Sequence, residues 1–522
     1  MRLAIDIGGT FTDLVLETGN DLLTKKVLTS ISQPELAVIE GVSELLEENN
    51  IKASDIKMII HGTTLATNAV IERKGAKTCF ITTSGFRDVL DIGYESRFDQ
   101  YDILIDKTMS LVPRKHRYVI DERTDVNGSI ITSIDKDQFY NLITKIKNEN
   151  FESIAVGFLH SYANPENEKI LKAFLTNELP DVEVSVSSDV CPEIREYERF
   201  TTTVVNAYIK PLMSNYLKKL DQKLLNSGFN CPLLLMTSGG TLTNISSACN
   251  NPVRLVESGP AGGAILATSI AEDMNLSKVI SFDMGGTTAK ITIIENKKAI
   301  KAREFEVDRK ARFKKGSGYP LRIPVIEMVE IGAGGGSIAR VNKLEQIITG
   351  PDSAGSFPGP ACYSNGGSMP TITDADLVIG KIDPNNFAGG KIKLSKQLAD
   401  KAITENIVKF VNIDTNIAAL AISEIVDETM SNAARVHTVE QGHETSNRTL
   451  IAFGGAAPLH IARVAEKLRV SNVIIPTNAS VGSAVGFLKA PVGYEVVKSL
   501  RMLLNRFETD KVNDLLEKMK NE

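Results

Sequence analysis

Two aspartates, Asp6 and Asp283, each stand two residues ahead of a glycine pair, and the residues around them could handle a polyphosphate. The first stretch runs Leu3-Ala4-Ile5-Asp6-Ile7-Gly8-Gly9-Thr10-Phe11-Thr12-Asp13-Leu14-Val15-Leu16. The second runs Ile280-Ser281-Phe282-Asp283-Met284-Gly285-Gly286-Thr287-Thr288-Ala289-Lys290-Ile291-Thr292-Ile293-Ile294. In both, an apolar strand meets an acid, a glycine turn, one or two hydroxyls and a second apolar strand. Glycines allow backbone N–H groups to approach an anion, and threonine hydroxyls add donors. A carboxylate beside them suits a hydrated Mg²⁺ shared with phosphate oxygens. One copy alone reads equally well as a hairpin with a polar turn. Two copies imply architecture: equivalent hairpins facing each other across a cleft and clamping a polyphosphate from both sides. Asp13 and Lys290 occupy equivalent places, and their opposite charges suggest different jobs; Lys290 reads either as a phosphate contact or as a surface lysine.

The elements that must position these hairpins alternate between strand and helix periodicity. A third strand is expected over 24–28 and a helix over 34–48, with Leu36, Ile39, Val42 and Leu46 on one face. A buried strand at 58–60 runs into His61-Gly62-Thr63-Thr64 and a helix from Leu65. Polar groups at such a strand end sit where open α/β sheets bind ligands, although a histidine there serves as well as a cap or core-edge residue. Further expected elements are strands at 78–82, 153–158 and 182–186, with helices at 136–148 and 165–176. The segment 93–117 lacks clean periodicity and is long for a structureless loop, which suggests an excursion over the cleft. The charged run Cys191 to Phe200 leads a helix over 201–225 and reads as the hinge between two halves, its charges solvated at the helix start or facing the site. The second half then opens with a strand at 233–236.

Four later stretches carry possible chemistry. Glu257-Ser258-Gly259-Pro260-Ala261-Gly262-Gly263 opens an alanine-rich helix and is either an anion site or a start that permits close packing. Gly332, Gly334, Gly335 and Gly336 form a glycine loop, with Gly334 and Gly335 as candidate phosphate contacts. Asp374 and Asp376 could share a metal, but capping a helix start is the preferred role. A buried strand at 449–453 ends in Gly454-Gly455, which would leave room for a flat base and its ribose. The six histidines match no metal-ligand spacing, and His437 and His443 read as surface residues at a helix end.

The chain's 522 residues allow roughly three or four domains. A formal net charge of −5 gives no basic excess for nucleic acid, and no apolar run reaches the length of a membrane span. Five scattered cysteines without C-x-x-C spacing suit a reducing cytoplasm better than a disulfide framework.

The order of the two phosphate hairpins and the strand ending in Gly454-Gly455 resembles that of the actin/Hsp70/sugar-kinase superfamily. More closely, the chain resembles the hydantoinase A/oxoprolinase family. The matching stretches include IDIGGTFTDLVL, HGTTLATNAVIERKGAKTCFITTSGFRDVL, PEIREYERFTTTVVNAYIKP, ESGPAGG, SFDMGGTTAK, VEIGAGGGSIA, DSAGSFPGPACY, TITDADLVIG and LIAFGGAAPLH. This resemblance implies an α/β fold of two ribonuclease-H-like lobes with mixed sheets flanked by helices around a nucleotide cleft. It implies ATP and Mg²⁺ as cofactors and phosphorylation of a carbonyl oxygen. A hydantoin, oxoproline or lactam would be opened by water after that activation; a ketone carboxylase subunit or a nucleotide-driven chaperone or reactivating factor are alternatives. Asp6 and Asp283 would be catalytic and hold Mg²⁺ or its waters. Gly8, Gly9, Thr10, Thr12, Asp13, Gly285, Gly286, Thr287, Thr288, Gly334 and Gly335 would line the phosphates, with Gly454 and Gly455 beside the adenosine. The expected division is an N-terminal domain at 1–190, a main domain at 191–488 and the start of a shortened C-terminal region at 489–522. Family members usually continue into a further domain and work with a B-type subunit. The implied partners are therefore that subunit and, for the missing region, a separate polypeptide, with neither nucleic acid nor membrane involved. The apolar stripe Val512, Leu515, Leu516 and Met519 would suit such docking, with packing on the chain's own body as the simpler account.

Overall fold

The hairpin Arg2–Ile7 and Phe11–Thr18 forms the middle of a mixed sheet, as its unbroken apolar runs require. In the computed structural model, which describes all residues except 20, 31–32, 95–96, 312–314 and 391, this sheet has six strands. Their order is Asp21–Leu28, Phe11–Thr18, Arg2–Ile7, Met58–Thr63, Leu233–Met236, Leu242–Asn244. Met58–Thr63 lies parallel to Arg2–Ile7, and Leu233–Met236 lies parallel to Met58–Thr63. The second hairpin, Lys278–Met284 and Ala289–Glu295, sits in a sheet of the same plan: Lys298–Ala299, Ala289–Glu295, Lys278–Met284, Thr449–Phe453, Asn472–Ile474. The strands Lys278–Met284, Thr449–Phe453 and Asn472–Ile474 are again parallel. Numbered along the chain, the first sheet reads 3-2-1-4-5-6 and the second, apart from Met328–Ile331 paired on its second strand, reads 3-2-1-4-5, with strand 2 antiparallel to strand 1 in both. This is the two-lobed ribonuclease-H-like arrangement of actin-like ATPases, and the sequence repeat is its visible trace.

Each lobe has its own core. In the first, Leu3, Ile5, Leu14 and Ile59 pack on Val38 and Val42 of helix Pro34–Glu48 and on Val205, Met213 and Leu217 of helix Glu196–Asn226. In the second, Ile280, Phe282 and Ile291 pack on Ile422 and Val426 of helix Thr415–Glu440. A third core joins the lobes through the other faces of both sheets, with Ala4, Val15 and Ile60 on one side and Ile294, Ile451 and Phe453 on the other. Between them lie two small-residue helices, Ser258–Asp273 and Gly482–Phe487. They cross so closely that a methyl group on Gly486 would stand 1.9 Å from the Gly262 carbonyl oxygen, so only glycine fits there.

Inserted into the first lobe is a parallel sheet in the order Glu183–Val186, Ser153–Gly157, Thr78–Thr83, Arg117–Ile120. It returns to the lobe through helix Glu196–Asn226, which begins five residues before the expected start at 201. The Arg199 guanidinium within the charged run is completely buried, not solvated. It donates to the Glu193 and Phe158 carbonyls at 2.9 and 3.0 Å and to Glu196 at 3.0 Å. Strand Leu233–Met236, expected to open a second half, instead joins the first sheet beside Met58–Thr63. Nor does the 93–117 segment line the cleft. Its Met109 carbonyl accepts from Arg73 at 2.8 Å, and Thr108 Oγ1 donates to the Ser317 carbonyl at 2.6 Å, so it is anchored on the turn after helix Leu65–Ile71 and on the loop before Tyr319; residues 95–96 are outside the described residues. Among the described residues no helix is long and apolar enough to cross a membrane.

The helix crossing generates a stability prediction. Gly486→Ala should destabilise the protein by about 3 kcal/mol, the upper end of overpacking costs, read from the urea unfolding midpoint. Gly455→Ala, whose methyl group meets nothing within 4 Å, should change stability by less than about 0.5 kcal/mol.

Candidate functional site

The two hairpin turns meet tip to tip. Gly8 N donates to the Phe11 carbonyl at 3.0 Å, and Gly285 N donates to the Thr288 carbonyl at 3.1 Å, so the turns close in the same way. Thr10 Oγ1 and Thr287 Oγ1 lie 3.5 Å apart. The turns form the floor of a cleft of about 1590 Å³, whose walls come from both lobes. Of the residues singled out from the sequence, Asp6, Gly8, Gly9, Thr10, Asp13, Asp283, Gly285, Gly286, Thr287, Thr288, Gly335, Gly454 and Gly455 line this one cleft.

Thr12 and Gly334 do not line it. Thr12 is fully buried, and its Oγ1 lies 3.0 Å from Thr29 Oγ1, which donates to the Gly8 carbonyl at 3.0 Å. Strand alternation points Thr12 inward, where it braces the turn from behind. Gly334 lies against the second turn, where a methyl group would stand 2.5 Å from the Thr287 carbonyl carbon. Its loop holds the turn by backbone bonds from Gly335 N to the Gly285 carbonyl, 3.1 Å, and from Gly336 N to the Gly286 carbonyl, 2.6 Å. Gly454 is required for a similar reason: it has φ +89°, and a methyl group there would stand 2.6 Å from Asp283 Oδ1.

Strand register makes the two aspartates unequal. Asp6 is paired across the strands with Asp13, and Asp13 with Lys26, which it binds as an ion pair. In the second lobe Asp283 is paired with Lys290, and Lys290 with Glu330, whose carboxylate is 3.4 Å from the ammonium. The sequence of charge is thus acid, acid, base in one lobe and acid, base, acid in the other. Burial lifts the Asp6 carboxyl to about 8, with the charges of Asp13 and Asp283 pushing the same way against Lys290 and Lys26. Its Oδ1 is buried with no hydrogen-bond partner. Burial also raises Asp283, but Lys290 and a hydrogen bond from Ser483 Oγ at 3.0 Å oppose the shift. Burial works against the Lys290 ammonium, yet Glu330, Glu257 and Asp283 outweigh it and hold the group protonated. Lys290 is therefore a member of the site and not a surface lysine.

Helix Ser258–Asp273 runs behind both aspartates. A methyl group on Gly259 would be 3.1 Å from Asp6 Oδ1, and one on Gly263 would be 3.1 Å from Asp283 Oδ2. The residue before the helix, Glu257, has a left-handed backbone (φ +63°), is buried and lines the cleft. Burial lifts its carboxyl to about 7, with Lys290 opposing and Glu330 adding to the shift. Its N–H donates to Thr67 Oγ1 at 3.0 Å, and Ser258 Oγ donates to the Thr63 carbonyl at 3.0 Å, which ties the helix start to the strand carrying His61. His61 itself is structural. Its Nδ1 lies 3.2 Å from the Ile5 carbonyl and its Nε2 2.9 Å from Tyr216 Oη, while burial lowers it to about 4. The Ile5 carbonyl makes Nδ1 the donor and leaves Nε2 to accept from tyrosine.

Two aromatic rings also line the cleft. Tyr363 and Phe387, their ring centroids 5.6 Å apart, line it together with Ala456 and Leu459, which follow Gly454-Gly455. Asp374 caps its helix, accepting from Thr371 N at 2.8 Å and Cys362 N at 2.7 Å. Asp376 turns instead to His460, whose Nε2 lies 3.1 Å from Asp376 Oδ2 and whose Nδ1 lies 2.8 Å from Asp427 Oδ1. Burial opposes the imidazolium, but the hydrogen bonds and charges of the two aspartates raise it to about 9. His437 is buried rather than superficial, and burial lowers it to about 4. No group of three or more potential ligands that could hold a metal occurs among the described residues. Lys26, Glu330, Ser483, Tyr363 and Phe387 were not recognisable as site residues from the sequence. Lys26 and Glu330 were detectable only by pairing strand partners, and Phe387 gave no signal.

Residues 2–179 match the hydantoinase/oxoprolinase N-terminal region, and residues 199–496 match hydantoinase/oxoprolinase. An uncharacterised protein of Methanocaldococcus jannaschii is 39% identical, over 98% of this chain and 76% of its own length. Caprolactamase subunit alpha of Pseudomonas jessenii is 32% identical, over 99% of this chain and 75% of its own. The crystal structure of that ATP-dependent caprolactamase matches with a TM-score of 0.85, covering 100% of this chain and 75% of the other. A nucleotide-free acetone carboxylase structure, from work on ATP-dependent acetone carboxylation, matches with a TM-score of 0.81 at 26% identity, covering 93% and 69%.

The His460 cluster generates a pH prediction. Its folded value of about 9 lies above the ordinary 6.5, so the charge stabilises the fold fully below pH 6.5, and the contribution is lost as pH rises through 9. The urea midpoint of the wild type should fall between pH 7 and pH 10, by up to about 3 kcal/mol. His460→Gln should be destabilised already at pH 7 and show a flatter profile. Parallel profiles in the two proteins would remove the charge from His460.

Proposed function

Because the chain belongs to the hydantoinase/oxoprolinase family, we propose that it is the ATP-using subunit of a cyclic-amide hydrolase that activates a hydantoin, oxoproline or lactam by phosphorylating its carbonyl oxygen. The observation that carries this reading is the meeting of two equivalent glycine turns over a pair of buried aspartates in one cleft. Amide oxygen is a poor leaving group, and bound MgATP supplies the phosphoryl group that makes it a good one. Phosphoryl transfer asks the protein chiefly for positioning and charge neutralisation. The backbone N–H groups of Gly9, Thr10, Gly286 and Thr287 and the threonine hydroxyls would hold phosphate oxygens from both lobes. Tyr363, Phe387 and Leu459 form an apolar seat for the base, and Gly454-Gly455 leaves space for the ribose.

The donor set fits a hydrated Mg²⁺. Carboxylates from two strands, one with a buried oxygen lacking a partner, match an ion that keeps most of its waters and takes one or two carboxylates plus phosphate. Asp6 and Asp283 would hold it; Asp13 is already paired with Lys26. The caprolactamase relative is named as subunit alpha, which supports a partner subunit, and we assign water attack and ring opening to a B-type one. The likeness to acetone carboxylase favours a second reading, in which the same activation serves a ketone and the phosphorylated enol accepts activated CO₂.

Purified protein assayed for ADP formation with hydantoin, 5-oxoproline or ε-caprolactam should be stimulated by at least one of them. Asp6→Ala and Asp283→Ala should each lower that rate by about 100-fold or more. Phe387→Ala should raise the ATP KM by up to about tenfold, with a smaller effect on kcat. Absence of nucleotide binding would sink the proposal.

A further inference from the structure

Phosphorylating a carbonyl oxygen is easiest when that oxygen carries the charge of an imidate or enolate, and forming one requires a base beside the atom next to the carbonyl. Most acids of the cleft are engaged elsewhere. Asp6 and Asp283 face the phosphate turns; Asp13 is held by Lys26, Glu330 by Lys290 and Asp376 by His460. Glu257 stands apart. It forms no ion pair with a described residue; Thr67 lies beside it, accepting from its N–H at 3.0 Å, and Lys290 and Glu330 are the nearby charges. It immediately precedes the helix that backs both aspartates, so it sits at the phosphate end of the cleft. A non-glycine residue held in the left-handed region costs of order 1 kcal/mol, and such strain persists where the surroundings enforce it. Here the enforcement is the bond from its own N–H to Thr67 and the anchoring of Ser258 on Thr63.

Resting on the carbonyl-activation reading, we infer that Glu257 is the base that removes the hydrogen from the atom adjacent to the substrate carbonyl. The Glu257 carboxylate takes the proton from a lactam nitrogen or a ketone α-carbon. The electron pair of that N–H or C–H bond becomes the new C=N or C=C bond, and the carbonyl π pair moves onto oxygen. This oxygen forms a bond to the γ-phosphorus as the bond from that phosphorus to the bridging oxygen of ADP breaks. The proton stays on Glu257 until it is returned to the leaving ring nitrogen or to solvent. Lys290, beside the carboxylate, offsets the charge that builds on oxygen. The substrate class follows: secondary lactams and imides through their acidic N–H and ketones through their α-C–H, and not N-alkylated lactams, whose remaining α-hydrogens are far less acidic than either. A carboxyl titrating near 7 suits a base working near neutral pH.

The test compares ε-caprolactam with N-methyl-ε-caprolactam, and acetone as the ketone, in ATP-dependent ADP formation by the full chain. ε-Caprolactam or acetone should stimulate, and the N-methyl compound should not. Glu257→Gln should lower the stimulated rate by about 100-fold or more while the ATP Kd, measured by calorimetry, stays within about twofold. Glu257→Asp should recover part of the rate and keep a pH profile that rises through a single ionisation. Equal turnover of the N-methyl lactam, or a stimulated rate surviving in Glu257→Gln, would overturn the assignment and leave the carbonyl-activation reading standing. ATP binding with no stimulation by lactam or ketone in the wild type would overturn that reading, and this inference with it.

Discussion

The cleft depends on one close approach. The lobes can bring Thr10 and Thr287 within 3.5 Å of each other only because the helices behind them, Ser258–Asp273 and Gly482–Phe487, cross with backbone against backbone. A single methyl group on Gly486 would collide with the Gly262 carbonyl. The same helices carry the residues that touch the aspartates: Gly259 and Gly263 from one, Ser483 from the other. Interfaces of this kind are close-packed and resist gradual deformation, so a change in the crossing would move both phosphate turns together. The small side chains of these helices thus set the geometry of the site as well as the packing of the third core.

Within that frame the lobes are equal in backbone and unequal in charge. The turns close with equivalent hydrogen bonds, whereas the second strand presents Asp13 in one lobe and Lys290 in the other. Asp6 consequently faces a net negative environment and Asp283 a partly compensated one. An uncompensated buried acid is costly to the empty protein and becomes favourable once a cation arrives, which ties the stability of this end of the cleft to its occupancy. Pseudo-symmetry brings backbone N–H and hydroxyl donors from both sides, and its breaking at one register position leaves one acid uncompensated and the other balanced by lysine.

Much of this was legible in the residues. Both hairpins, the strand ending in Gly454-Gly455 and helix Pro34–Glu48 follow from apolar runs and turn residues that are local in sequence. What was not legible depends on long-range pairing. Leu233–Met236 looked like the start of a new half because nothing local says that its partner is Met58–Thr63. Arg199 looked solvated because its partners, the Phe158 and Glu193 carbonyls, are backbone groups with no sequence signature. Thr12 and Gly334 belong to the right motifs, but their roles are decided by which face of a strand or loop meets the cleft. His437 looked superficial beside a helix end, although the helix face that carries it is buried.

The division of labour across the cleft bears on how one family can act on lactams and on ketones. On the proposed function the turns would meet only phosphate and the Tyr363–Phe387 region only the base, so neither would need to know which carbonyl compound is present. On that reading, contact with the carbonyl compound falls where Thr67, Glu257, Lys290 and Glu330 gather, between the start of helix Ser258–Asp273 and the second lobe's charged strand. These four groups come from four separated stretches of the chain and are joined by the helix start at Ser258. A lactam and a ketone present the same oxygen and the same kind of neighbouring hydrogen to such a cluster. What happens after that oxygen is phosphorylated, attack by water or by activated CO₂, can then be left to other parts of the assembly without altering the cleft.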